Sequence, residues 1–183
     1  MKIDSKISML IEGYPRNGYQ TYSRIVRGSK RGLCISRLHP GYVAHKYSLD
    51  EAKRYWLSNQ RGDDSITPKS LHQLVKTLRI ELRDRSGGTI FMDGLEYLLI
   101  FNDLSKVMSA LEEIDDLLKA SNVELIISVD PLTFEQKDLE KLWTSFPRYT
   151  GEELLCKHFV SNAQHIPTVA PMAVGQESSG LKI

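Results

Sequence analysis

Short apolar runs alternate with amphipathic segments along residues 5–143, and this alternation restricts the chain to a small group of folds. Four runs, at 7–11, 33–35, 89–92 and 123–129, are apolar at nearly every position rather than at every second one. Strands with that pattern are buried on both faces, as in a parallel sheet that helices cover on both sides. We therefore predict a three-layer α/β domain with a mostly parallel sheet and helices on both faces.

Helical periodicity fills the intervals between these runs. An apolar stripe from Leu71 to Leu82 has the spacing of one helix face, and Thr67 followed by Pro68 predicts where that helix starts. A second stripe follows Asp103, its expected cap, and ends at Asn122. Further predictions are helices over 17–29, 49–55 and 134–143, a strand over 55–57 and a turn over 39–41.

The domain organisation follows from where this pattern stops. Residues 1–145 are predicted to form the α/β domain, and 146–160 to add one small terminal element. From 161 to 183, Pro, Gly, Ser, Ala and Gln dominate without periodicity, which predicts a disordered tail. The 183 residues are 41% hydrophobic, enough for the core of a single domain.

Composition and charge argue against several classes of function. With 24 basic and 23 acidic side chains the net charge is +1, which argues against a dedicated nucleic-acid binder. The two cysteines, Cys34 and Cys156, and the five histidines have no metal-ligand spacing, so we expect no metal site. No apolar run approaches the roughly 20 residues that span a bilayer, and the N-terminus makes a poor signal peptide. We therefore expect a cytoplasmic protein without membrane insertion.

Gly13 and Gly18 have the spacing of a phosphate-binding loop, but the lysine of such a loop is missing. They follow a predicted strand and precede a predicted helix, which is the context that the loop requires. Tyr19 stands where a lysine would reach the β- and γ-phosphates, and Gln20 where a hydroxyl would hold magnesium. Thr21 follows one position later. The two glycines and Thr21 are thus candidate ligand-binding residues without the charge that phosphoryl transfer needs.

Further candidates for the same pocket lie at predicted strand ends, because ligands of open parallel sheets bind outside the carboxyl ends of strands. They are Arg37, Asp93, Glu96 and Asp130. Asp93 follows its strand as the carboxylate of a Walker B element does, and Glu96 lies one helical turn further on. Two alternatives stay open: Asp93 can instead cap the next helix, and Asp130, which precedes Pro131, can simply turn the chain.

Arg24, Arg27 and Arg31 fall at i, i+3 and i+7, on one face of the helix predicted after the loop. Residues 1–46 contain nine Lys or Arg against two Asp or Glu, while residues 84–140 contain four basic and thirteen acidic side chains. Regions of opposite sign on one domain attract each other head to tail, which favours a protein partner or a homo-oligomer. A solvated helix face and contact with a phosphate backbone are the alternatives.

Three segments together resemble the archaeal family called "domain of unknown function 835". They are Gly32–Arg37 with the following His39 and Pro40, Met92–Leu98, and Ser128–Pro131, in the right order and with fitting spacing over about residues 5–143. The resemblance implies an offshoot of RecA- and KaiC-like ATPases that is often joined to sensory or signal-transduction domains. KaiC-like relatives carry an intact G-x-x-x-x-G-K-T loop, and this chain departs from it at the two positions after the second glycine.

The sequence therefore favours a RecA/KaiC-like module that is not an enzyme, with no catalytic residues and no required cofactor. We expect it to act in protein interaction, assembly or signal transduction, and to keep at most a pocket for a small anion, a nucleotide or magnesium. One alternative is an active ATPase with an atypical phosphate loop. Another is a nucleic-acid-associated protein that uses the basic N-terminal third.

Overall fold

The computed structural model describes residues 4–12, 17–27, 29 and 31–163, with side chains through residue 161. Within these ranges, seven strands form one sheet in which every pairing is parallel. The strands are β1 (Ile7–Ile11), β2 (Leu33–Ser36), β3 (Lys53–Leu57), β4 (Ser65–Ile66), β5 (Thr89–Asp93), β6 (Glu124–Val129) and β7 (Arg148–Tyr149). Their order across the sheet is β4-β3-β2-β5-β6-β1-β7. The four apolar runs of the sequence thus form the four central strands.

Seven helices connect and cover these strands in the described part of the chain. They are α1 (Gly18–Val26), α2 (Pro40–Tyr47), α3 (Leu71–Leu82), α4 (Leu95–Phe101), α5 (Leu104–Ser121), α6 (Gln136–Ser145) and α7 (Gly151–Ala163). A single 3-10 turn over Pro131–Thr133 follows β6. None of the described helices is long and apolar enough to cross a membrane.

Two separate clusters of buried side chains show that the sheet is covered on both faces. On one face, α1, α2 and α7 contribute Tyr19, Tyr22, Val43 and Leu154 to a core that includes Phe91 of β5. On the other face, α3, α5 and α6 pack against the alternate residues of the same strands. These helices contribute Leu74, Val75, Leu78, Leu82, Val107, Leu111, Ile114, Leu118, Leu139 and Leu142. The predicted three-layer α/β architecture is confirmed.

Two predictions between residues 39 and 55 are wrong. The turn predicted at 39–41 is the start of α2, because the His39 imidazole caps that helix and its Nδ1 accepts the Gly41 N–H at 3.1 Å. The helix predicted over 49–55 does not form, because the chain pairs with β2 from Lys53 onward and continues as β3. A short mixed run carries too little periodicity to separate a helix from a strand.

Helix α3 begins three residues later than the sequence predicts. Ser70, rather than Thr67, is the N-cap, and its hydroxyl accepts the Gln73 N–H at 3.2 Å. The Gln73 side chain in turn accepts the Thr67 N–H at 3.0 Å. Gln73 thus bonds to Ser70 through its backbone N–H and to Thr67 through its side chain, an arrangement similar to a capping box.

The carboxyl ends of the central strands bring polar residues together at one edge of the sheet. Ser36, Asp93 and Ser128 end or nearly end β2, β5 and β6, and they are register partners across those strands. Gly94 then turns the chain from β5 into α4 with φ +125°, and a Cβ there would lie 2.9 Å from Leu57 Cδ1. Only glycine combines that backbone conformation with that close approach.

The C-terminal part of the described chain completes the sheet and one helical layer. β7 pairs with β1, and α7, which contains the small element predicted over Glu152–Phe159, buries Leu154 and Leu155. Further along α7, Lys157 and His158 contact the Glu124 carboxylate at 3.6 and 3.2 Å. These contacts, with that of His158 the largest cause, hold the pKa of Glu124 at about 2, below its usual 4.5, against the opposing effect of burial.

We predict that Glu124→Gln destabilises the fold at neutral pH. Because the pKa of Glu124 is lower in the folded than in the unfolded chain, its contacts with Lys157 and His158 stabilise the protein above about pH 4.5, and the stabilisation is lost as the pH falls towards 2. The Glu124 side chain is 31% exposed, so solvent screening reduces the expected loss in the free energy of unfolding at pH 7 to about 1–2 kcal/mol.

Urea unfolding at pH 7 and at a series of pH values below 4.5 measures this effect. The difference between wild type and variant should shrink as the pH falls, and Glu135→Gln, which removes a fully solvated ion pair with Lys137, should cause no measurable loss. A Glu124→Gln effect that is independent of pH would contradict the assignment.

Candidate functional site

Tyr19, which follows the second glycine of the predicted loop, is completely buried in the core beneath α1. Its ring stacks on Tyr47 at 4.6 Å and meets Phe91 edge-on at 5.1 Å, both measured between ring centroids. Its hydroxyl donates to Asp93 Oδ2 at 2.7 Å and lies 2.5 Å from Ser36 Oγ. Because the single phenolic proton points to Asp93, the Ser36 hydroxyl is the donor in the second hydrogen bond.

Tyr19 is held as a neutral phenol. Burial, followed by the nearby charge of Asp93, raises the pKa of Tyr19 well above its ordinary value of 10. The side chain therefore supplies one hydrogen-bond donor but no positive charge. A lysine in this place would bring a mobile cation to the strand ends, whereas the tyrosine ties α1 to β5.

Asp93 ends β5 and is 2% exposed. In addition to the Tyr19 hydroxyl, its Oδ2 faces the Arg37 guanidinium, with Nε at 3.6 Å. The N-cap of α4 is Gly94, one residue later, so Asp93 does not occupy the capping position that was its alternative interpretation. The carboxylate instead joins the ends of β2 and β5 to the start of α1.

Glu12, which sequence analysis did not single out, is the second buried carboxylate at this edge. It follows β1 directly and is 8% exposed. It accepts the Gly18 N–H at the start of α1 and the Ser128 hydroxyl at the end of β6, both in close contact. A Cβ on Gly18 would lie 2.8 Å from a Glu12 carboxylate oxygen, so the glycine leaves room for that carboxylate.

The Glu12 carboxylate thus occupies the place where a helix N-terminus attracts an anion. Free N–H groups and the helix dipole favour negative charge at such a position, and phosphate groups of ligands commonly fill it. Here a side chain of the protein does so. The only signal in the sequence was a lone acidic residue between a strand and a glycine turn.

Glu96 and Asp130 form a separate pair at the same edge. Glu96 Oε1 accepts the Asp130 N–H at 3.0 Å, which links α4 to the end of β6. The Asp130 carboxylate accepts the Leu132 N–H at 3.0 Å and caps the 3-10 turn. The interpretation of Asp130 as a turn residue is confirmed. The structure therefore brings Arg37 to Asp93, and Glu96 to Asp130, as distinct contacts.

The remaining loop candidates are placed as follows. Gly13 lies outside the described residues. Gly18 is the first residue of α1, and Thr21 is buried in the contact between α1 and α7, where a Cβ on Gly151 would lie 3.1 Å from its hydroxyl oxygen. Thr21 therefore contributes to helix packing. Among the described residues, no group of three or more His, Cys, Asp or Glu side chains is arranged to hold a metal ion.

A cleft of about 460 Å³ opens between the N-terminal ends of α1 and α7. Glu12, Arg24 and Glu152 contribute charged groups to its walls. The start of α7 is capped by the chain itself, because Glu153 accepts the Thr150 N–H at 2.8 Å and donates its own N–H to the Thr150 hydroxyl at 3.3 Å. Carboxylates of the protein thus interact with the N-termini of both helices that border the cleft.

Arg24, Arg27 and Arg31 do not share one helix face, contrary to the sequence prediction. Helix α1 ends at Val26, since Arg27 turns to ψ 121° as its C-cap, and Arg31 lies beyond the helix. The prediction took the glycines at 28 and 32 as the end of the helix, whereas the helix stops at Val26, before both of them. All three arginines are exposed, and the Arg31 carbonyl accepts a hydrogen bond from the Arg85 guanidinium.

Residues 14–146, nearly three quarters of the chain, match the family described as "Protein of unknown function (DUF835)". The chain belongs to this family. No curated protein matches it. The DUF835 match includes Tyr19, Arg37 and Asp93, whereas Glu12 precedes it and α7 follows it. The matched region thus includes the part of the sheet edge around Tyr19, and the family description assigns no activity to it.

We predict that Tyr19→Phe in this DUF835 protein lowers the free energy of unfolding by about 1–3 kcal/mol, because a buried carboxylate then loses its donor. Because the aromatic ring and its stacking remain in this variant, the loss in the free energy of unfolding measures the contribution of the hydroxyl group. Tyr42→Phe is the matched control, since the Tyr42 ring is 48% exposed, and it should change stability by less than about 0.5 kcal/mol.

Chemical unfolding of the two single variants, of Asp93→Asn and of Tyr19→Phe with Asp93→Asn completes a double-mutant cycle. The two changes should be strongly non-additive because the groups are in direct contact. Additive losses would show that Tyr19 and Asp93 do not interact in solution.

Proposed function

We propose that this DUF835 protein is a non-hydrolysing module of RecA/KaiC-like ancestry that acts by binding other proteins, in assembly or in signal transduction. The observation that carries the proposal is that side chains of the protein occupy the sheet edge where a ligand would bind. Two side chains, Tyr19 and Glu12, fill the positions where a nucleotide hydrolase needs a cation and a phosphate. The ancestry is supported by the glycine spacing, the parallel sheet and the carboxylate that ends β5.

Phosphoryl transfer requires positive charge beside the transferred group, since its transition state carries negative charge on several oxygens. Tyr19 offers a neutral donor that is already bonded to Asp93. Arg37, the nearest cation with a described contact here, is paired with the same carboxylate. Both groups therefore stabilise the fold instead of remaining available for a reaction.

Nucleotide binding is disfavoured for a second reason. The Glu12 carboxylate is bonded to the first N–H of α1, so a phosphate at this helix end would meet a negative charge at close range. At about 4 Å, such repulsion amounts to roughly 4 kcal/mol with the effective dielectric constant of a protein surface. A ligand would have to displace Glu12 to reach the helix.

Action through protein contacts is supported by what the surface exposes. Several large apolar side chains are solvent-accessible, and each lies outside the two core clusters: Tyr42, Ile80, Ile100, Phe101, Leu132, Phe159 and Val160. Exposed acidic residues lie near the basic residues at the end of α1: Glu152 lines a cleft with Arg24, and Glu51 lines another with Arg27. That mixture favours a protein partner over a phosphate backbone.

We predict that purified protein with magnesium and ATP releases no phosphate above the background of a buffer control, because Tyr19 carries no charge and Arg37 is paired with Asp93. A sensitive phosphate-release assay checks this, with Asp93→Asn as the comparison. Turnover that is present in wild type and lost in Asp93→Asn would support the alternative of an active ATPase and contradict the proposal.

The role of Glu12 is tested by the variant Glu12→Ala in the same preparation. It should gain weak binding of inorganic phosphate, with a Kd on the order of 1 mM, because the Gly18 N–H is then free to bind an anion. Wild type and Glu152→Ala, which removes a carboxylate from α7 in the same cleft, should show no binding by titration calorimetry. Phosphate binding to wild type would contradict the assignment of Glu12.

A further inference from the structure

The basic strip at the C-terminal end of α1, formed by Arg24 in its last turn and Arg27 as its C-cap, lies near the middle of one broad face of the molecule. Helix α1 packs between α2 and α7, and the two arginines project from its exposed side. Neither guanidinium has a hydrogen-bond or ion-pair partner among the described residues. Two positive charges one helical turn apart are thus available at the centre of this face.

The acidic strip on α5, formed by Glu112 and Asp116, lies near the middle of the opposite broad face. Helix α5 packs against α3 and borders a groove with α6. Neighbouring acidic residues on α5 are paired, Glu113 with Arg79 at 2.5 Å and Asp115 with Lys119 at 2.9 Å. Within the described chain, the two carboxylates of the strip are exposed and have no such partner.

We propose that copies of this chain stack through these two strips, with the basic strip of one copy against the acidic strip of the next. This inference rests on the proposed function, since it names the partner of an interaction module. The two strips lie on opposite faces of the same sheet, so the contact is heterologous. Repetition of such a contact gives an open stack instead of a closed twofold dimer.

The spacing of the charges in the two strips, as well as their opposite signs, makes a second copy of this chain the partner that fits best. The arginines are three residues apart and the carboxylates four, so each pair spans one helical turn, about 5–6 Å. Two helices that cross at these strips can therefore form two ion pairs. A nucleic acid would gain only these two arginines on the strip, whereas its affinity depends on the number of phosphates that basic side chains neutralise.

Exposed ion pairs contribute little each, so the association should be weak and dependent on salt. By light scattering or sedimentation at about 0.05 M salt, the average mass should rise above the 20.8 kDa of one chain as concentration increases. At about 1 M salt it should return to that of the monomer. A monomer under all conditions, or a complex that resists salt, would overturn the inference.

Charge reversal tests the direction of the contact. The double variants Arg24→Glu/Arg27→Glu and Glu112→Lys/Asp116→Lys should each weaken self-association at least about tenfold. An equal mixture of the two should associate again, in stacks of alternating variants, because each interface between unlike copies then pairs an acidic strip with a basic one. Absence of that mixed association, when each variant is folded by circular dichroism, would overturn the proposal.

The matched control is Arg61→Glu/Lys69→Glu, which makes the same change in net charge at two exposed positions in the loops that flank β4, at the edge of the sheet. It should associate as wild type does. If it weakens association equally, the effect comes from net charge and not from the strips, and the inference is wrong. None of these outcomes depends on phosphate release, so the proposed function is tested separately. Salt-sensitive binding to a duplex DNA probe that only Arg24→Glu/Arg27→Glu abolishes would assign the strip to nucleic acid instead.

Discussion

The buried hydrogen bond from Tyr19 to Asp93 is the contact on which the carboxyl-end edge of the sheet depends. It crosses 74 residues of sequence and joins the start of α1 to the end of β5, with Ser36 of β2 as a third member. A buried carboxylate costs free energy unless it is hydrogen-bonded. Removal of the phenol hydroxyl would therefore destabilise the fold by taking a donor away from Asp93, beyond any loss of packing. The aromatic ring adds apolar packing against Phe91 and Tyr47 to the same contact. One side chain therefore serves the core and the polar edge together.

Glu12 hydrogen-bonds the polar groups at the start of α1, as Tyr19 hydrogen-bonds those at the end of β5. Its carboxylate satisfies the first N–H of α1 and the Ser128 hydroxyl, groups that would otherwise call for water or a ligand. Together the two residues close the edge with groups from the chain itself. Ligand sites keep such groups unsatisfied until the ligand arrives, whereas here protein atoms already bond the Gly18 N–H and the Tyr19 and Ser128 hydroxyls. The same geometry explains why Gly18 matters without any phosphate: it makes space for a carboxylate.

The architecture could be predicted from the sequence because strands that are buried on both faces are apolar at consecutive positions. β1 has the predicted bounds, β5 and β6 lie within one residue of theirs, and α5 runs from its predicted cap at Asp103 to Asn122. The prediction failed where structure depends on distant partners. β3 forms because Lys53 onward finds β2, and Glu12 gains its role from Ser128, 116 residues away. Neither partner is visible in a local pattern.

A sheet edge closed in this way also fixes the outer surface of α1. Tyr19 and Tyr22 anchor the inner side of the helix, the latter through its hydroxyl to the backbone of β2 and β5 at 2.9 and 2.8 Å. Rigid anchoring on one side reduces the entropy that exposed side chains on the other must lose on binding. The arginines of α1 are therefore presented from a fixed helix. The residues that hold the inner side of α1 at the sheet edge thus also fix the position of the surface on its outer side.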